Sequence, residues 1–145
     1  MITLREIHRD NFEAVVGLAV FDGQKHFVAS NIYSLAQAKA QPECVPLAIY
    51  HGDEPVGFVM YCMDFEDKEY WIYRLMMDQK HQRKGYGRMA MQRLLARIAE
   101  DTKHDKVYVS FEPTNAVAQK LYESFGFIPD GRIIDGEIVY CLHRG

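Results

Sequence analysis

A segment rich in glycine and cations is the part of this sequence whose residue types point most directly to chemistry. Residues 82–88 read Q-R-K-G-Y-G-R and precede a segment with helical periodicity. The first N–H groups of a helix have no partner inside the helix, and the helix dipole adds partial positive charge there. Glycines at a helix start let the backbone approach an anion closely. The segment predicts either a phosphate site or a cation-rich helix start with two turn glycines.

The spacing of this loop excludes two common nucleotide-binding loops. A P-loop requires G-x-x-x-x-G-K-[ST], and no Ser or Thr follows a Gly-Lys pair here. A dinucleotide loop requires G-x-G-x-x-G after the first strand, whereas only Gly85 and Gly87 are present and both lie late in the chain. Neither a nucleoside triphosphate site nor a dinucleotide site is therefore expected.

The loop must be positioned by secondary structure, and hydrophobic periodicity predicts a mixed α/β domain. The predicted order is β-α-α-β-β-β-α-β-α-β-β, within one domain at residues 1–145. Residues 70–77 are almost continuously apolar, as expected of a buried central strand leading into the loop. Asp135-Gly136 predicts the turn of a C-terminal hairpin.

Two of the predicted helix starts rest on capping patterns. Asp10 followed by Glu13 resembles a capping box, so the first helix is predicted to begin there. Ser34 with Gln37 is a similar pair and predicts the opening of a short second helix. These assignments place a helical pair between the first two strands.

The composition excludes several functional classes. The formal net charge of −3 is unlike the basic balance of a nucleic-acid-binding protein. No apolar run reaches the length of a membrane-spanning helix. Cys44, Cys62 and Cys141 form no C-x-x-C pair and no metal-like cluster, which predicts reduced, partly buried thiols. We therefore expect a cytoplasmic protein with no metal, nucleic acid or membrane as partner.

A second motif lies downstream of the loop, at residues 115–127, which read N-A-V-A-Q-K-L-Y-E-S-F-G-F. It resembles the N-x-x-A-x-x-L-Y-x-x-x-G-F signature of the GNAT family of N-acetyltransferases. Q-x-x-G-x-G at residues 82–87 resembles the pyrophosphate loop of the same family. The predicted element order also matches, so the resemblance covers essentially the whole chain. It implies four helices and a mostly antiparallel mixed sheet of about seven strands with splayed central strands.

The resemblance implies acetyl-CoA as co-substrate and no metal. The pantetheine arm would lie between the strand before the loop and the strand near residues 106–111, and the pyrophosphate would lie on the loop amides. Asn115 is interpreted as a helix N-cap, as a partner of the pantetheine amide, or as both. The implied cofactor-binding residues are Met76, Met77, Arg83, Lys84, Gly85, Tyr86, Gly87, Arg88 and Asn115.

Tyr122 matches the position of the general acid that is usual in the family. Attack of an amine on a thioester expels a thiolate, which is better protonated as it leaves. The alternative interpretation is that Tyr122 only extends the apolar stripe of its helix. The motif around it favours the acid.

The acceptor side needs a group that takes a proton, because an amine at neutral pH is mostly ammonium. Glu66, in the acidic connection at residues 64–69, and Glu112, after the fifth strand, are the candidate bases. Carboxylates and aromatic faces both attract cations, although each residue here has a plainer interpretation as part of a solvated turn or of the sheet. The predicted substrate-binding residues are Asp22, Asp67, Trp71 and Tyr73.

Residues 21–38 together with V-G-F-V-M-Y at residues 56–61 resemble the bacterial spermine/spermidine acetyltransferases within the family. This implies a polyamine as the small-molecule partner. Related polyamine enzymes often carry an acidic residue two positions beyond the tryptophan, where this sequence has Tyr73. Other small-molecule amines, a protein amine, or a non-catalytic acyl-CoA-binding module remain alternatives. The resemblance also leaves a homodimer open, since many relatives are dimers.

Overall fold

The computed structural model describes residues 1–144, and its elements follow the predicted order. The strands are β1 (Ile2–Glu6), β2 (Cys44–His51), β3 (Glu54–Met63), β4 (Tyr70–Met77), β5 (Lys106–Phe111), β6 (Ile128–Ile134) and β7 (Glu137–His143). The helices are α1 (Phe12–Gly17), α2 (Asn31–Ala40), α3 (Tyr86–Ala99) and α4 (Ala116–Ser124). One sheet has the order β1-β2-β3-β4-β5-β7-β6, and only β4 and β5 are parallel. The predicted fold class is confirmed.

Both early helices begin at other residues than the capping patterns predict. Asn11, not Asp10, is the N-cap of α1; its buried side chain accepts from the His8 N–H at 2.8 Å and donates to the Glu6 carbonyl. The Asn11 side-chain amide thus fixes the connection from β1 into α1. The capping pattern of Asp10 and Glu13 did not reveal this role, because it depends on contacts with the end of β1.

The second helix starts four residues before the predicted position. Ser30 accepts a hydrogen bond from the Tyr33 N–H at 3.1 Å and caps α2. Ser34 lies inside the helix, where its hydroxyl donates to the Ser30 carbonyl at 3.0 Å. The prediction at Ser34 was wrong because the true cap, Ser30, has no Glu or Gln three residues later to mark it.

The two central strands separate after a short paired stretch. Parallel pairing of β4 with β5 extends only from Tyr70↔Val107 to Ile72↔Val109. A bulge at Tyr73 shifts the register between β3 and β4, because Met60 pairs with Arg74 and Tyr61 pairs with Ile72. The remaining length of β4 therefore diverges from β5, which confirms the predicted splay.

Each face of the sheet carries a different pair of helices. On one face, α3 and α4 pack over a core that includes Ile72, Val109 and Phe111. On the other face, α1 and α2 cover β2 to β4. Val107, Val109 and Phe111 of β5 are buried, whereas the alternating residues Tyr108 and Ser110 are only half-buried. These two side chains therefore project toward the α1–α2 face, beside the covered strands.

Gly57 lets β3 approach the end of β4 closely. A Cβ atom at this position would lie 2.5 Å from the Met76 carbonyl oxygen and 2.8 Å from the Met77 sulfur. The Met77 side chain is flexible, but the Met76 carbonyl belongs to the backbone of a paired strand and cannot move easily. The glycine thus fixes the position of the β4 segment that borders the gap.

Candidate active site

A cavity of about 460 Å³ opens where β4 and β5 separate. Its walls are formed by β4, β5, α4, the loop before α3 and the segment after α1. Met76 and Met77 contribute from β4, and Asn115 and Tyr122 contribute from the second motif. Both sequence motifs therefore meet at one cavity.

The loop before α3 has the backbone conformation expected of an anion site. Gly85 is left-handed (φ +81°) and directly precedes the 14-residue helix α3, and Arg83 is also left-handed (φ +63°). A left-handed conformation is unfavourable for arginine and is retained only where the surroundings enforce it. Arg83, Gly87 and Arg88 line the cavity, so the free N–H groups at the start of α3 lie at its edge.

A pair of glutamines ties this loop to the opposite wall. The Gln82 amide donates to the Met77 carbonyl at 3.1 Å and to the Gln24 side chain at 2.9 Å. The Gln24 amide donates back to Gln82 at 3.1 Å. Gln24 belongs to the segment after α1, so the loop, β4 and that segment hold one another in place.

Tyr122 is buried on α4 and its ring packs against Phe111 and Phe127. Burial, followed by the negative charge of Glu137, raises the pKa of Tyr122 well above the usual value for a tyrosine. The phenol therefore stays protonated at neutral pH while it lines the cavity. This is the state that a proton donor requires.

Glu137 lies at the start of β7, beside the cavity. Its Oε1 accepts from the Ser110 hydroxyl at 2.8 Å, and its charge acts on both Tyr122 and Arg74. Arg74 is held in turn by Ser34 of α2, to which its Nε donates at 3.1 Å. A carboxylate, a cation and a phenol thus surround the separated ends of β4 and β5.

An aromatic and acidic surface continues from there along β4 and β5. The Trp71 and Tyr108 rings are stacked with centroids 5.1 Å apart. Asp67 accepts from the Trp71 indole N–H at 2.8 Å, and Asp64 accepts from the Tyr73 hydroxyl at 2.7 Å. The acidic connection is thereby folded back onto the aromatic residues of β4.

Comparison with known proteins identifies the class of this site. The sequence profile of the Acetyltransferase (GNAT) family matches residues 2–127. The chain belongs to the GNAT family. It is 30% identical to the spermine/spermidine N(1)-acetyltransferase of Bacillus subtilis, in an alignment that covers 95% of each chain.

Two solved GNAT structures share the fold at lower identity. The aminoglycoside acetyltransferase AAC(6')-Ib in complex with coenzyme A matches with a TM-score of 0.81 at 16% identity, covering 99% of this chain and 95% of that one. Spermidine N-acetyltransferase from Vibrio cholerae, in complex with CoA and spermine, matches with a TM-score of 0.76 at 18% identity and the same coverage. These structures share the fold; the family match and the Bacillus subtilis relative identify the protein as an acetyl-CoA-dependent N-acetyltransferase.

The cavity suits coenzyme A in both charge and shape. The loop offers backbone amides and the cations of Arg83 and Arg88 for a pyrophosphate, and the gap offers unpaired β4 backbone for the pantetheine arm. No group of three or more metal-ligating side chains occurs within residues 1–144. In the same residues, no helix is long and apolar enough to cross a membrane.

The structure brings most of the predicted cofactor residues together, and two of them, Asn115 and Arg88, also make other contacts. Asn115 caps α4 by accepting from the Ala118 N–H at 3.2 Å and also lines the cavity. Arg88 lines the cavity, and its guanidinium also donates a hydrogen bond to the Ser124 hydroxyl of α4 at 2.6 Å. The predicted residues that line the cavity are Met76, Met77, Arg83, Gly87, Arg88 and Asn115. Lys84 and Gly85 of the loop and Tyr86, the first residue of α3, do not line it.

The predicted acceptor residues are dispersed. Tyr73 lines the cavity, and Trp71 with Asp67 lies beside it. Asp22 is exposed, pairs with Lys25 at 3.0 Å and is not a lining residue, although Phe21 and Gln24 beside it are. Glu66 is exposed in the turn before β4, and Glu112 follows β5 without lining the cavity. Their predicted role as bases stays a prediction.

Glu137 was not among the sequence-based candidates. Its place next to the Asp135-Gly136 turn suggested only a hairpin end, and that turn is confirmed by left-handed φ values of +50° and +81°. Glu137 and Val139 lie two residues apart and therefore share one face of β7, and Val139 pairs with Ser110 of β5. This places Glu137 near Ser110, but only once the pairing of β5 with β7 is known, and the sequence does not specify that pairing.

Proposed function

We propose that this acetyltransferase transfers an acetyl group to a primary amine of a polyamine, with spermidine and spermine as the favoured acceptors. The observation that carries this proposal is the surface beside the gap, where the stacked Trp71 and Tyr108 rings adjoin the Asp67 carboxylate. Aromatic faces and carboxylates together attract flexible polycations. The Bacillus subtilis relative, named for spermine and spermidine, supports the same acceptor class.

The reaction needs one proton acceptor and one proton donor. Acetyl-CoA supplies the activated acetyl group when it is bound. In the proposed mechanism, Glu137 takes the proton that the ammonium loses, directly or through water, and Tyr122 gives its hydroxyl proton to the departing sulfur. The amine nitrogen forms the new bond to the carbonyl carbon as the carbon–sulfur bond breaks. The second proton that the nitrogen loses on becoming an amide restores the Tyr122 hydroxyl. Ser110 orients the Glu137 carboxylate by its hydrogen bond.

The choice of Glu137 over Glu66 and Glu112 rests on position. Glu137 is bonded to Ser110, a cavity residue, and its charge reaches Tyr122, the proposed donor. Glu66 is exposed in a turn, and its backbone N–H donates to Asp64 at 3.0 Å. The acid and the base must flank one reacting centre, and Glu137 best meets this condition.

The test is a panel of acceptors assayed with the purified protein and acetyl-CoA, read by release of the free thiol. Spermidine and spermine are expected to react with the highest kcat/KM, above putrescine, a lysine-containing peptide and an aminoglycoside. Faster turnover of the peptide or the aminoglycoside would identify that compound, not a polyamine, as the acceptor class. Binding of acetyl-CoA without turnover of any amine would indicate a non-catalytic module.

A further inference from the structure

An arginine of β6 lies on the stacked aromatic pair described above. The Arg132 guanidinium carbon is 5.2 Å from the Tyr108 ring centroid and 5.6 Å from the Trp71 ring centroid. Both distances are within the range of cation–π attraction. The protein thus places one of its own cations on a surface that favours cations.

The carboxylates around this arginine outnumber it. Asp130 forms an ion pair with the Arg132 guanidinium at 2.7 Å, and its Oδ1 accepts from the Arg132 backbone N–H at 3.0 Å. Asp67 holds the Trp71 indole at 2.8 Å, and its charge also acts on Arg132. Two carboxylates and one guanidinium leave net negative charge on the surface, even with the arginine in place.

The Arg132 contact is weakly held. The arginine side chain is 46% exposed, and it extends from β6, an edge strand whose residues are all exposed. Ion pairs at such exposure contribute little stability. A ligand cation can therefore displace the guanidinium without disturbing the core.

The aromatic pair lies at a fixed distance from the proposed transfer site. Tyr108 and Ser110 share one face of β5, and Ser110 bonds to Glu137. Two residues along a strand span about 7 Å. This is comparable to the span of a short methylene chain between two amines. An acceptor with its reacting amine at Glu137 would thus place a second ammonium on the aromatic pair.

We propose that the Trp71–Tyr108 face is the subsite for the second ammonium of the acceptor, and that Arg132 occupies this subsite until the acceptor displaces it. The inference rests on the proposed function, because it applies to acceptors with two or more amines. Arg132 then lowers the affinity for such acceptors and keeps the aromatic face covered in their absence.

The test compares an acceptor with several ammonium groups to one with a single ammonium group. KM is measured for spermidine and for butylamine in the wild type, in Arg132→Gln and in Arg5→Gln. Arg5 is a matched control, since its guanidinium lies 4.2 Å from the Tyr50 ring and pairs with Asp53 far from the cavity. Arg132→Gln is expected to lower the spermidine KM relative to the butylamine KM by roughly fivefold, and Arg5→Gln to leave the ratio unchanged.

A second variant tests the same subsite if Arg132→Gln fails to fold. Asp67→Asn keeps an oxygen for the Trp71 indole but removes the charge, and it is expected to raise the spermidine KM relative to the butylamine KM. An unchanged or opposite ratio in Arg132→Gln or in Asp67→Asn would overturn the subsite.

A binding measurement separates this inference from the proposed function. Trp71 is the sole tryptophan, so its fluorescence reports on the subsite without turnover. Spermidine should change this fluorescence at lower concentration in Arg132→Gln than in the wild type. Absence of polyamine turnover would defeat the proposed function, while the titration would still decide the subsite, and identical titration curves would overturn it.

Discussion

The hydroxyl of Ser110 donates to the carboxylate of Glu137 at 2.8 Å, from the end of β5 to the start of β7. These residues are 27 positions apart, and the antiparallel pairing of the two strands brings them together. The bond places a carboxylate beside the opening between β4 and β5, where Tyr122 forms another part of the wall. The proposed acid and base thus reach one centre from a helix and a strand.

Replacing Glu137 by glutamine tests the assignment of the base. Glu137→Gln keeps the side-chain size and an oxygen for Ser110 but cannot take a proton. We expect kcat with the best acceptor to fall roughly 100-fold, with acetyl-CoA affinity unchanged. Steady-state kinetics measure this, with Glu100→Gln at the exposed end of α3 as control. A comparable loss in Glu66→Gln or Glu112→Gln, with Glu137→Gln active, would move the role to that residue.

Tyr122→Phe tests the proton donor. The ring and its packing on Phe111 and Phe127 are retained, and only the hydroxyl is lost. We expect kcat to fall by roughly 100-fold or more, while the Kd of acetyl-CoA measured by calorimetry stays the same. Tyr140→Phe removes a hydroxyl elsewhere in the same core, where it donates to Glu123, and should keep its activity. Full activity of Tyr122→Phe would contradict the assigned role.

Gly57→Ala tests the close approach of β3 to β4. The added Cβ would lie 2.5 Å from the Met76 carbonyl oxygen, so the β4 backbone must move. We expect a loss of about 1–3 kcal/mol in the free energy of unfolding and weaker acetyl-CoA binding. Urea denaturation and calorimetry measure the two effects. Gly17→Ala is the control, because a Cβ atom added there would meet no packed neighbour within 4 Å.

Alkaline pH is expected to destabilise the fold through two half-buried tyrosines, Tyr70 and Tyr108. Burial, together with a hydrogen bond to Asp101, raises the pKa of Tyr70 to about 12, and burial with the nearby Cys141 raises the pKa of Tyr108 to about 12. An unfolded tyrosine has a pKa of about 10. The folded state therefore binds protons more tightly, and the associated stability is present below about pH 10 and is lost as pH rises toward about 12.

Thermal melts between pH 8 and 11 measure this alkaline loss. Tyr108→Phe should lose less stability over this range than the wild type. Tyr33→Phe, at an exposed position of α2, is the control for the substitution itself. Equal slopes for Tyr108→Phe and the wild type would show that Tyr108 does not titrate with unfolding.

The thiols are expected to be unreactive in the folded protein. Cys44 and Cys62 face each other across β2 and β3, and both are buried and free. Burial, followed by the neighbouring Cys62, raises the pKa of Cys44 to about 12, so almost no thiolate is present at pH 8. A thiol reagent should label the native protein at least about 100-fold more slowly than the denatured protein, which exposes three cysteines. Fast labelling of Cys44 in the native state would contradict this.

Local patterns in the sequence predicted most of the architecture. The element order, the Asp135-Gly136 hairpin and the buried strand at residues 70–77 each follow from periodicity or turn chemistry within one segment. The loop before α3 and the Asn115 cap were also local, and both lie where expected. Such features need no knowledge of what packs against them.

The acceptor side could not be predicted in the same way, because it depends on strand pairing. Glu137 becomes a site residue only through the register of β5 with β7. Arg132 meets Trp71 only because of how β6 pairs with β7, in a stretch where the register shifts between Pro129 and Ile133. Likewise, the bulge at Tyr73 is defined by the register of β3 with β4, which neither segment reveals by itself. Carboxylates chosen by sequence proximity to the aromatic strand, such as Glu66, therefore included an exposed turn residue.

The brief pairing of β4 with β5 has a mechanical consequence. The sheet consists of two antiparallel halves that are joined through three residue pairs, and the seam is open beyond Ile72↔Val109. A pantetheine arm in this opening would act as a short extra strand that closes the seam. Amides of β4 that point toward β5 should then exchange with solvent rapidly in the free protein and slowly once coenzyme A is bound. Bound coenzyme A would thus connect the two antiparallel halves of the sheet and stabilise them against one another.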